Sequence, residues 1–123
     1  MHIIQGYLNR DPERTVRIRI ADEKAFITVK GKTKGFVREE YEYEIPYSDG
    51  MNMLQLCEGR ILDKYRYLVP FDGHIWEVDE YKKELKGLIV TEVELETPNE
   101  EVKIPPFAGK EVSGDPRYFN SQL

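Results

Sequence analysis

The chain has 123 residues, of which 40% are hydrophobic and 33% charged, with a net charge of −5. That size suits a single domain over residues 1–123 whose core needs no staples, and the acid excess argues against a general nucleic-acid binder, which carries a net basic face. Cys57 is the only cysteine, so no disulfide can form within the chain; M-H-I-I-Q-G-Y-L is no secretory leader and no apolar run is long enough to span a bilayer, so a cytoplasmic protein without membrane contact is expected.

In chain order, Ile3–Leu8 reads as a short apolar strand and Asn9–Glu13 as a turn. Thr15–Ile20 alternates, with Val16, Ile18 and Ile20 opposite Arg17 and Arg19. After a turn at Ala21–Lys24, Ala25–Lys30 is rich in β-formers and sets Lys30 in phase with Thr28 and Phe26. Gly31–Gly35 (G-K-T-K-G) lacks the P-loop spacing and no helix pattern follows it, so a hairpin turn is predicted. The segment R-E-E-Y-E-Y-E-I-P at 38–46 puts Glu40, Glu42 and Glu44 on one face and Tyr41, Tyr43 and Ile45 on the other. Pro46 ends it. Ser48 or Asp49 then caps a helix over Met51–Cys57 that buries Met51 and Leu54, and Gly59 stops it. Arg60–Val69 is the next strand, Pro70–Gly73 a tight turn and Ile75–Tyr81 its hairpin partner. Lys82–Gly87 is a polar, briefly helical link, and Leu88–Glu96 the last long strand. Pro98–Gly109 reads as an irregular loop, and Asp115-Pro116 opens a short helix over Arg117–Leu123. The fold class is mainly antiparallel β with short helices on the outside.

One pattern recurs through these strands. Arg17 and Arg19 share a face, as do Lys64 and Arg66, Glu77 and Asp79, and Glu92, Glu94 and Glu96. Each row taken singly suits a solvated sheet face. Acidic and basic rows from separate strands, each backed by Val, Ile, Leu and Tyr, suit a curled sheet with a charged interior. Unpaired charge inside such a cavity is costly, and bound ions offset it. Arginine forks and lysines match phosphate oxygens, and carboxylates are hard ligands for Mg²⁺ or Mn²⁺. Cys57 suits a buried small residue, and His2 and His74 have no partner at ligand spacing.

Eight segments in order, Q-G-Y-L at 5–8, V-R-I-R at 16–19, T-V-K at 28–30, R-E-E-Y-E-Y-E-I-P at 38–46, K-Y-R-Y at 64–67, W-E-V-D-E-Y at 76–81, G-L-I-V-T-E-V-E-L at 87–95 and G-K-E-V-S-G-D-P-R-Y-F-N at 109–120, carry a resemblance over essentially the whole chain. The sequence resembles the CYTH domain proteins, or triphosphate tunnel metalloenzymes, which include class IV adenylate cyclases, thiamine triphosphatases and bacterial tripolyphosphatases. The resemblance implies an antiparallel tunnel with a charged lumen, a triphosphate-containing small molecule as substrate and Mg²⁺ or Mn²⁺ as cofactor. It implies Arg17, Arg19, Lys30, Lys64 and Arg66 as substrate-binding residues, with Lys64, Arg66 and Glu42 catalytic. Glu40, Glu42, Asp79, Glu92 and Glu94 are the implied metal ligands, and Trp76, Tyr118 and Asn120 are structural.

Family members also carry, upstream of the Q-G-Y-L segment, a strand with Glu-x-Glu-x-Lys that supplies metal ligands and a substrate-contacting lysine. That motif is absent here, which implies a tunnel incomplete at its N-terminal strand. Three accounts stay open: a start placed too far downstream, a partner chain that supplies the strand, or a member that binds without turnover. The exposed sheet edge makes a homodimer by strand addition an expectation. The resulting function is a metal-dependent phosphohydrolase of triphosphates, with a non-catalytic triphosphate- or nucleotide-binding module as the alternative. Cyclase activity is disfavoured because nothing marks an adenine pocket.

Overall fold

The computed structural model describes residues 1–35 and 37–94. Seven strands, β1 (His2–Asn9), β2 (Arg14–Ala21), β3 (Lys24–Gly31), β4 (Glu40–Ile45), β5 (Glu58–Phe71), β6 (His74–Tyr81) and β7 (Ile89–Val93), form one sheet. Its order is β4-β3-β2-β1-β5-β6-β7, with every neighbouring pair antiparallel. The predicted antiparallel β class is what the chain adopts. Among the described residues the sheet stays open, with β4 and β7 as its edges.

The one α-helix among the described residues, α1 (Tyr47–Leu54), connects edge strand β4 to β5 and packs across β3, β2 and β1 on the outer face of the sheet. Beneath it Ile18, Ile20 and Ala25 are buried, the apolar halves of the alternating strands. The helix starts four residues earlier than Ser48 and Asp49 suggested. Pro46 occupies its cap position and no side chain caps it. Nor do Met51 and Leu54 bury its inner side. Met51 is exposed, and Gly50 is the buried residue. A Cβ on Gly50 would sit 2.5 Å from the Cβ of Ala25 and 2.9 Å from Cδ1 of Ile20, so the helix backbone rests directly on the sheet.

Gly59, predicted as the helix stop, lies instead inside β5 with φ +70°. It sits where the β1–β5 register slips between Gln5 and Tyr7, and a side chain there would collide with the Arg10 guanidinium. Pro70 does not begin a turn either: it is paired with Ile75 inside β5. β1 reaches along β5 only to Tyr65, so the proline's missing N–H costs no ladder bond on that flank. The turn itself is Asp72-Gly73, both residues with positive φ (51° and 78°), as a two-residue hairpin loop demands. A 3₁₀ turn at Lys83–Leu85 matches the predicted brief helix. The loop at 98–109, the helix at 117–123, Glu96, Tyr118 and Asn120 lie outside the described residues. No helix among those described is long and apolar enough to cross a membrane.

Candidate active site

Residues directly opposite in an antiparallel ladder project from the same side of the sheet, so register alone defines the two faces. Tyr7 faces Arg17, Arg17 faces Thr28, and Thr28 faces Glu42; Gln5 faces Arg19, and Lys30 faces Glu40. Across β1, Ile3 faces Lys64, Lys64 faces Tyr81, Arg66 faces Asp79, and Glu77 faces Glu92. Arg17, Arg19, Lys30, Glu40, Glu42, Lys64, Arg66, Asp79 and Glu92 therefore all stand on one face, opposite the one that α1 covers, while Glu94 lies one residue beyond the end of β7 and has no ladder partner.

The cations occupy the middle strands and the carboxylates mostly the edges. Lys64 is fully buried, its Nζ 2.7 Å from Oδ2 of Asp79 but off the direction of a regular hydrogen bond. Arg66 donates to both oxygens of Asp79, through Nε at 2.8 Å and Nη2 at 2.9 Å, and its Nη1 pairs with Glu77 at 3.0 Å. Thr28 donates to Oε1 of Glu42 at 2.9 Å, and Arg17 reaches both Thr28 (3.2 Å) and Glu42 (3.4 Å). Arg19 donates through Nε to Oε1 of Gln5 at 2.9 Å. Glu40, Glu92 and Glu94 are exposed. A cavity of about 350 Å³ opens beside this array, with Arg19, Phe26, Glu42 and Arg66 in its wall.

The fold holds more positive charge here than it neutralises. Burial pushes Lys64 down to about 8 against the pull of Asp79, and burial with the nearby Arg17 brings Lys30 to about 8. Burial, then repulsion from Arg17 and Arg66, lowers Arg19 to about 10. Asp79 goes the other way: burial raises its carboxyl, but Arg66 and Lys64 outweigh that and hold it below the ordinary range. Arg66 is raised chiefly by its hydrogen bonds to Asp79. Two buried donors on this face, Gln5 Nε2 and Arg17 Nε, have no hydrogen-bond acceptor, while Lys64 Nζ has only its ion pair with Asp79 at 2.7 Å. A buried donor without an acceptor costs about 1–3 kcal/mol, so two together beside a buried ammonium mark a place where acceptor oxygens belong. Trp76 Nε1, also without an acceptor, is on the opposite face, where Trp76 is buried.

Among the described residues no three His, Cys, Asp or Glu side chains converge on one point. Both Asp79 oxygens are committed to Lys64 and Arg66, Glu77 on β6 is paired with Arg66, and the other inner-face carboxylates lie on the β4 edge and at β7. Sequence reasoning assigned no site role to Gln5, Thr28 and Arg38, and named Glu77 only as a member of a charge row. Arg38, just ahead of β4, donates to the Gly31 carbonyl and the Thr15 hydroxyl and so adds a cation at the Lys30 end of the face. For Gln5 the available signal was a polar residue in phase with Ile3 and Tyr7. His2 is not solitary: its Nε2 lies 2.7 Å from Asp63 and its ring stacks on Tyr65, on the outer face. Cys57 follows the helix, half-buried, its thiol pushed up to about 11 by burial and unsuited to nucleophilic work.

The CYTH domain pattern matches residues 1–119. An inorganic triphosphatase of Acetivibrio thermocellus is 46% identical over 120 residues, which cover 97% of this chain and 77% of that protein. An inorganic triphosphatase of Nitrosomonas europaea is 33% identical over 124 residues, covering 97% and 81%. A crystal structure of an inorganic triphosphatase superposes with a TM-score of 0.71 at 30% identity, covering 98% of this chain and 82% of the other.

Proposed function

The chain belongs to the CYTH domain family, and on that premise we propose that it is a metal-dependent phosphohydrolase acting on inorganic triphosphate or an organic triphosphate. The observation that carries the reading is the shared inner face of Arg17, Arg19, Lys30, Lys64 and Arg66 with two buried donors, Gln5 Nε2 and Arg17 Nε, that lack acceptors. A polyanion rich in oxygens satisfies donors and charge together. The relatives' common name makes inorganic triphosphate the first substrate to test.

Hydrolysis forms a bond from the water oxygen to the terminal phosphorus and breaks the bond to the bridging oxygen, releasing orthophosphate and diphosphate. Lys64 and Arg66 are assigned to the charge that gathers on the departing oxygen, and Arg17, Arg19 and Lys30 to the non-bridging oxygens. Glu42 is assigned to orient the attacking water and take its proton. Thr28 and Arg17 fix its position, while 44% exposure of its side chain leaves it within reach of water. The donor set fits Mg²⁺ or Mn²⁺, because every inner-face acid is a hard oxygen ligand. Mg²⁺ is commonly held by one or two carboxylates, with substrate phosphates completing its shell. Glu40 and Glu42 on β4, or Glu92 and Glu94 at β7, are the residues that would hold it. When bound, the ion neutralises phosphoryl charge.

Phosphate release from tripolyphosphate with Mg²⁺ or Mn²⁺ tests the reading. Lys64→Ala is expected to lower kcat/KM about 10²–10³-fold, and no release with either metal from the unmodified protein overturns the enzyme. One observation favours the second reading, a triphosphate- or nucleotide-binding module: the carboxylates stand apart on two edges rather than converging. Calorimetry that finds tripolyphosphate binding without turnover selects it. A single domain, a cytoplasmic location and edge-to-edge dimerisation complete the proposal.

A further inference from the structure

Resting on that triphosphate reading, we propose that Gln5 is a substrate-binding residue whose side-chain amide donates a hydrogen bond to the middle of the phosphate chain. Gln5 is fully buried at the centre of the inner face, on the central strand β1. Its orientation follows from its partner. Arg19 carries only donors, so the Gln5 atom that meets Arg19 Nε at 2.9 Å must be the carbonyl oxygen. The NH₂ end is thereby turned away from Arg19, and it has no acceptor.

Its neighbours give the site a direction. Gln5 is opposite Arg19 on β2 and Leu62 on β5, so Arg17 and Lys64 are its diagonal neighbours on either side. Diagonal neighbours on one face are about 7–8 Å apart, within reach of long side chains that bend toward a shared ligand. Arg17 Nε and Gln5 Nε2, both without acceptors, and the ammonium of Lys64, paired with Asp79, thus form one line across three adjacent strands with the neutral amide in the middle. Two outer cations suit the more heavily charged terminal phosphoryl groups. The amide, a donor without charge, suits the central one, whose two bridging oxygens leave it less charge to neutralise.

Gln5→Glu separates this role from a structural one. The carboxylate still accepts from Arg19, and now as an ion pair, so a merely structural Gln5 predicts an unchanged or higher melting temperature, with any rise in KM due to its added charge lost in Gln5→Met. A donor to substrate predicts something else: the ligand-free protein melts no lower, while the tripolyphosphate-induced rise in melting temperature shrinks and KM climbs roughly 10- to 100-fold. Gln5→Met, which removes the donor without adding charge, is expected to raise KM by a smaller factor in the same direction. Wild-type KM in Gln5→Glu overturns the assignment and leaves the triphosphate reading intact. Wild-type protein that neither melts higher with tripolyphosphate nor hydrolyses it overturns both.

Discussion

Lys30 and Lys64 carry charge that their surroundings resist. Lys64 is faced by Asp79 and Tyr81 from β6, Arg19 from β2 and Arg66 on its own strand. Lys30 is faced by Arg17 and Arg19 from β2, Glu40 from β4 and Arg38. Both stand near 8, below the 10.5 of a free lysine. Between those values the unfolded chain binds more protons than the folded one, so the stability of the ligand-free protein rises with pH from about 8 upward. Below 8 both lysines are charged in either state and the cost of burying them is complete. A bound polyanion reverses the preference by drawing the protons on. Tripolyphosphate binding near pH 8 is therefore expected to take up protons and to weaken as pH climbs above that value. Titration calorimetry in two buffers of different ionisation enthalpy reads the uptake, and proton release would contradict the charge balance described here. The lysines and arginines themselves were legible from their period of two. Gln5 and Thr28 were not, because a polar residue on a buried face announces no partner until the neighbouring strands are in register. Arg38 escaped because it lies outside the strand whose glutamates drew attention.

At the scale of elements, α1 shows a local rule reversed by packing. Gly50→Ala in an exposed helix is worth up to about 1 kcal/mol in propensity. Here the added methyl meets Ala25 and Ile20 at 2.5 and 2.9 Å, so a net loss of about 1–3 kcal/mol is expected from overpacking. Urea denaturation measures it, and a variant as stable as the parent would mean that the helix lifts off the sheet at no cost. Because α1 packs on β1, β2 and β3, it backs the strands that carry Gln5, Arg17, Arg19 and Lys30. The first six strands were readable nearly to their ends, since alternation persists through each, whereas β7 ends at Val93 and leaves Glu94 outside it. The helix was misplaced by one turn because cap-forming residues at 48 and 49 outranked a proline that needs no side-chain cap. Gly59 was misread for a related reason: a positive φ serves a slipped register in a strand as well as it serves a helix end.

Among the described residues the sheet is open, and its edges govern strand-to-strand association. Its β4 edge carries Glu40, Glu42 and Glu44 on the inner side and exposed Tyr41 and Tyr43 on the outer. A second copy adding its own β4 would set glutamates beside glutamates, which destabilises strand pairing and is screened by salt. A homodimer formed through this edge is therefore expected to tighten as salt rises. Size-exclusion chromatography with light scattering follows it, and a dimer that salt loosens would place the contact elsewhere. By itself the sequence determined which residues alternate, hence which charges travel together on one side of each strand. That information is local and survives without knowledge of any neighbour. Only the tertiary structure decided that the like-facing rows of separate strands share a single face, that β1 lies at the centre with Gln5 turned toward Arg19, and that the acids fall at the edges. Strand order and register are set by contacts between residues far apart in the chain, and no pattern within one segment encodes them.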